Sequence, residues 1–231
     1  MSGRLRRPHP RVALGWLVGV SIAIVAATPA AAATLGARQP TSFSRELYFP
    51  AAYERQVDNR TCTAAATAMM ENLIARRDLN LSQLSILAYE QPRDALNDKT
   101  QRGSDPLGWS RAATYYSTAA HVPTNYAWEA YASKSAALSR AAKQITMTGK
   151  PVGFLVLHGG HAVVMTGFIS TADPRRGAFS VSAVSVSDPN GYSHVEYSAA
   201  ASPLDTYLQT DASSAYDKLW YGKYVIIVPL A

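Results

Sequence analysis

The chain has 231 residues, with 22 basic and 16 acidic side chains and a single cysteine. Four of the arginines, Arg4, Arg6, Arg7 and Arg11, lie in the first eleven residues, where there is no acid. The rest is close to neutral, with no basic run and no basic–aromatic stripe, which speaks against a nucleic-acid partner. One cysteine excludes an intrachain disulfide framework.

The N-terminal arginines precede an uncharged run, 12–33, that ends in Thr28-Pro29 and four alanines. A basic start, an apolar stretch and a small-residue end make the pattern of a secretory signal peptide, 1–33, cut after Ala33. The alternative is an N-terminal membrane anchor, since about 20 apolar residues can span a bilayer. Arg6-Arg7 is followed by the polar, rigid Pro8-His9-Pro10, where a twin-arginine signal turns apolar. Removing 1–33 leaves 18 basic against 16 acidic residues, a net charge of +2. Nothing after residue 33 is long and apolar enough for stable membrane insertion. About 198 residues remain, which suits one domain with a good core.

Residues 34–50 form a polar lead-in that turns apolar near Leu47. The domain proper then runs over 51–231. A helix is expected over 61–77, capped by Thr61 or Asn59, because Ala66, Met70 and Ile74, and likewise Ala65, Met69 and Leu73, recur every four residues. A second helix is expected over 81–90, with Ser82 or Asn80 at its cap. The stretch 91–108 is rich in turn formers. Asp105-Pro106 opens a helix over 106–119, since proline fits a first helical turn. Another runs over 133–148 and stops at Gly149.

The texture changes after Gly149. Apolar runs at 152–157 and 162–169, a period-two alternation at 178–187, a short strand at 195–198 and an apolar run at 223–228 read as strands. The segment 201–219 is ambiguous between loop and helix. Helices first and strands later give an α+β fold, an N-terminal helical half packed on a C-terminal antiparallel sheet.

Cys62 stands at the head of the 61–77 helix, where free N–H groups and the positive end of the dipole favour a thiolate, the nucleophilic form. Lowering a thiol from ~8.5 by about two units requires roughly 2.7 kcal/mol, and a helix terminus supplies ~0.3–1 kcal/mol. A base is therefore needed. His161 is the best placed, at the mouth of a strand after a Gly159-Gly160 turn. Its second ring nitrogen needs an acceptor. Asp188, at a strand end before Pro189 and Gly191, is the natural one, with Asn190 as the alternative. Acyl attack also builds an oxyanion, for which the Cys62 N–H and the Gln56 side-chain amide are the candidate donors. His158 and His161 have H-x-x-H spacing but no local acidic or cysteine partner, which argues against a metal site. The chemistry needs no cofactor.

Taken together, Gln56–Cys62 (QVDNRTC), 161–168 (HAVVMTGF) and 187–191 (SDPNG) resemble the papain-like cysteine peptidases, in particular their bacteriocin-processing (double-glycine) branch. Cys62-Thr63-Ala64 stands where that branch often reads Cys-Gly-Pro. The resemblance implies a Cys62 nucleophile, His161 base, Asp188 orienter and Gln56 oxyanion donor, acting on a peptide or amide substrate outside the cytoplasm. Acyl transfer to an amine, as in transglutaminase-like or amidase-like enzymes, and an inactive envelope-binding module share the same residues. Neither the substrate nor the oligomeric state is written in the sequence.

Overall fold

The computed structural model describes residues 42–95, 103–200, 220 and 222–231, all within the unit Arg38–Ala231. The expected signal segment and the ambiguous 201–219 segment lie outside the described residues. In chain order the elements are β1 (Phe43–Glu46), α1 (Cys62–Ala75), α2 (Gln83–Glu90), α3 (Pro106–Tyr116), β2 (Tyr126–Tyr131), α4 (Lys134–Thr148), β3 (Val152–Val156), β4 (His161–Ser170), β5 (Val181–Asp188), β6 (Tyr192–Ser198) and β7 (Tyr224–Pro229). Short 3-10 turns occupy Pro50–Ala52 and Gln91–Arg93. The protein is α+β, mixing helices with an antiparallel sheet.

The helix ends follow local chemistry. Asp105 caps α3 by accepting from the N–H groups of Leu107 at 2.8 Å and Gly108 at 3.0 Å, with Pro106 in the first turn. Ser82 caps α2 through the Ser85 N–H, and Ser133 caps α4 through the Ala136 N–H. Gly149 ends α4 in the left-handed region, at φ 68°.

The sheet order is β2-β7-β3-β4-β5-β6, and every pairing described is antiparallel. The long strand β4 organises it. β3 pairs with its first half, His161 to Met165, and β1 with its second half, Gly167 to Ser170, while β5 takes the other edge. Two of these strands depart from the sequence expectation. β1 falls in what reads as a lead-in, because its partner lies far along the chain. β2 falls in a stretch with no assigned element, because Glu129 and Ala130 interrupt its aromatics.

Helices cover both faces, whereas the expected arrangement is one helical half on one sheet. On one face Ala66, Met69, Met70 and Leu73 of α1 and Trp109 of α3 pack on Ala162, Val164 and Ile227. On the other, Ala137, Leu138, Ala141 and Ile145 of α4 pack on Val163, Met165, Val184 and Ile226. The alternation of Ala162-Val163-Val164-Met165 between the two clusters is the strand period itself. Trp109 is fully buried and lies against Gly153, where an added Cβ would stand 2.5 Å from its ring. Trp109 is thus core and does not line a cleft. Among the described residues no helix is long and apolar enough to cross a membrane.

Candidate active site

Cys62 is the first residue of α1 and is half-buried. Thr61 precedes it at the cap position but does not cap the helix. Its hydroxyl donates to the Asp58 carbonyl at 3.2 Å and accepts from the Asp58 N–H at 3.3 Å, closing the turn that leads into the helix. The expected Thr61 cap is therefore spent on that turn. Asn59 does not replace it, as no side chain caps α1. The first side chain beside the uncapped N–H groups of α1 is then the Cys62 thiol itself.

His161 opens β4 and Asp188 closes β5. In an antiparallel pair that brings them to one end of the sheet, and Val164 opposite Ser187 sets the register. The imidazole Nε2 lies 2.7 Å from Asp188 Oδ1, with both residues about 8 % exposed. The Cys62 side chain is close enough to the same ring to act on it. Burial pushes the imidazole down. The hydrogen bond to Asp188, the nearby Cys62 side chain and the Asp188 charge outweigh burial and bring His161 to about 9.

The carboxylate is itself held. Asp188 Oδ1 accepts from the Asn190 N–H at 2.8 Å, and the Asp188 carbonyl accepts from Tyr53 Oη at 3.2 Å. Tyr53 is pushed up mainly by its own burial, with the Asp188 charge adding to it. Asn190 is exposed and contributes its backbone, so the imidazole partner is Asp188 and not the alternative.

Gln56 is tied to both arms of this arrangement. Its N–H donates to the Pro189 carbonyl at 2.9 Å, and its side-chain Nε2 donates to the Asp58 carbonyl at 2.8 Å. One end of Gln56 thus contacts the turn after Asp188, and the other contacts the turn before Cys62. Its Oε1 is buried without a hydrogen-bond partner among the described residues.

The approach to His161 differs from the expected glycine turn. Leu157 (φ 50°) and His158 (φ 58°) hold the left-handed centre of the β3–β4 turn, closed by Gly159 N–H to Val156 O at 3.1 Å. Two non-glycine residues in that region store strain just ahead of His161.

Sequence reasoning does not find the neighbours behind Cys62. Glu90, at the end of α2, is fully buried and receives hydroxyl hydrogen bonds from Thr63 and Thr67. Nothing local in either segment signals that pairing. Among the described residues no group of His, Cys, Asp and Glu side chains is arranged to hold a metal ion. A cavity of about 400 Å³, lined by Tyr89, Arg93, Arg111, Thr114 and Tyr115, shares no residue with the constellation. No model of a known protein family matches the chain, and no curated protein matches it.

Proposed function

We propose that this chain is an exported, papain-like thiol hydrolase that cleaves peptide or amide bonds through Cys62, His161 and Asp188. The observation that carries the reading is one imidazole bonded to a carboxylate and close to the only thiol in the chain. A nucleophile beside a base, with the base oriented by a third group, is the arrangement nucleophilic catalysis needs. An imidazole that keeps its proton through neutral pH favours a thiolate beside it.

In the proposed reaction the Cys62 sulfur attacks the carbonyl carbon, and a C–S bond forms as the carbonyl π electrons move to oxygen. The Cys62 N–H and the Gln56 amide hold that oxyanion. Collapse breaks the C–N bond, and the proton on His161 passes to the leaving amine. Water then attacks the thioester, giving up a proton to His161, and the acid leaves as the thiolate re-forms. Every group in this cycle belongs to the chain. Asp188 holds the ring through Nε2, which leaves Nδ1 for the sulfur.

The test is the pH dependence of Cys62 alkylation by iodoacetamide, with Cys62→Ala as the blank and His161→Ala as the control. Reaction well above that of free cysteine at about pH 6, lost in His161→Ala, is the expected result. A wild-type rate no greater than that of free cysteine refutes the reading.

A further inference from the structure

Thr63 and Thr67 sit one turn apart on α1 and are both buried. Their hydroxyls converge on the Glu90 carboxyl. Thr63 Oγ1 lies 2.6 Å from Oε2 and Thr67 Oγ1 lies 3.3 Å from Oε1. Thr63 directly follows the nucleophile. The first turn of α1 has no side-chain cap and no acidic residue. Loss of a cap alone costs about 1 kcal/mol, and uncapped ends fray. A tertiary tether on that turn therefore matters for where the sulfur stands.

We propose that Glu90 is a positioning residue: by gripping Thr63 and Thr67 it fixes the first turn of α1 and keeps the Cys62 sulfur in register with His161. This rests on reading Cys62 and His161 as a reactive pair. A misplacement of about 1 Å can cost 10²-fold in rate, so one tether at the nucleophile's neighbour is enough to matter.

The surroundings dictate the form Glu90 takes. Among the described residues the charges acting on it are carboxyls. From α1 it meets the two hydroxyls, from the segment after α2 it meets Asp94, and from α3 it meets Asp105 and Tyr116. Burial raises it to about 8, the hydroxyls pull it back, and the Asp94 and Asp105 carboxyls push with burial. α3 is seated directly against this segment, since a Cβ on Gly108 would lie 2.0 Å from Asp94 Oδ1 and 2.8 Å from the Glu90 carbonyl oxygen. At neutral pH the tether is thus a neutral acid.

Alkylation of Cys62 in the full chain, followed over about pH 5–10, tests this. Glu90→Leu removes the acceptor, and the expected rate near pH 6 falls about tenfold or more with the helical circular dichroism retained. Glu90→Gln keeps an acceptor for the Thr63 hydroxyl and should restore the wild-type rate near pH 6 that Glu90→Leu loses. If Glu90→Leu does not fold, Thr63→Val removes the same bond at constant volume and should show the same slowing. A purely structural role would lower stability in Glu90→Leu without slowing Cys62, leaving Glu90→Gln no rate to rescue. Wild-type-like profiles in Glu90→Leu and Thr63→Val overturn the tether while leaving the Cys62–His161 pair intact. An unreactive wild-type Cys62 overturns both.

Discussion

His161 Nε2 stands 2.7 Å from Asp188 Oδ1, a bond across one end of the sheet between the first residue of β4 and the last of β5. Asp188→Asn keeps an acceptor there and removes the charge. His161 should then fall from about 9 toward the ordinary ~6.5, read from the imidazole signals in an NMR titration. Stability should follow with a definite sign. The folded value is raised, so the contribution is fully present below about pH 6.5 and is lost as pH rises through about 9. The urea-unfolding gap between wild type and Asp188→Asn should be widest at the acid end of that window, on the order of 2–3 kcal/mol, and should close toward the alkaline end. A gap that widens with pH contradicts this account.

Gln56 links the Pro189 carbonyl through its backbone to the Asp58 carbonyl through its side chain. Gln56→Ala spares the first bond, so the strand end should hold. If the side-chain amide serves the oxyanion, turnover of p-nitrophenyl acetate should drop roughly 10²–10³-fold in kcat with KM little changed. A change confined to KM would make Gln56 a substrate contact and not an oxyanion donor.

How much of this is legible in the sequence varies with the range of the interaction. The caps at Ser82 and Asp105 and the stop at Gly149 are local and stand where expected, while Ser133, read as the first helical residue, is the cap of α4. The apolar runs give β3, β4 and β7, and the period-two alternation gives β5. β1 and β2 are opaque because neither carries a continuous apolar run, and the partners that define them, β4 and β7, lie far along the chain. His161 and Asp188 can be paired on paper because each stands at a strand end beside a turn. Thr61 misleads, since a threonine at that position has a choice between the helix and the Asp58 turn, and sequence does not weigh the two. The Thr63–Glu90 bond crosses between helices, and no periodicity carries that information.

Gly153 is required by packing, not by its backbone. A Cβ there would stand 2.5 Å from Trp109 Cζ2 and 3.1 Å from Ile227 Cβ. Trp109 is fully buried and has no room to withdraw. Gly153→Ala should destabilise by about 1–3 kcal/mol or more, seen as a lower urea midpoint with an unchanged slope. Gly149→Ala offers a contrast. No atom lies within 4 Å of its Cβ position, and the cost comes from its φ of 68° alone, about 1–2 kcal/mol. If Gly153→Ala is neutral, the contact between β3 and Trp109 is looser than described.

Glu71 is fully buried in α1, and both its carboxyl oxygens are without a hydrogen-bond partner among the described residues. Burial raises it to about 8, and the charge of Lys150 pulls the other way without prevailing. The group therefore folds as a neutral acid. With the folded value above the unfolded ~4.5, its contribution is fully present below about pH 4.5 and is lost as pH rises through about 8, because unfolding releases a proton across that window. The full shift corresponds to an upper bound on the order of 5 kcal/mol. Glu90, raised to the same degree, adds a decline of the same sign. The wild type should accordingly lose stability between about pH 5 and 8, where many proteins are at their most stable. Glu71→Gln carries no titrating proton and should remove a substantial part of that slope, leaving the variant more stable than wild type near pH 8. Urea unfolding at several pH values across the window checks both statements. A wild-type curve that is flat or rising there would mean that the two carboxyls are solvated or paired in the folded protein.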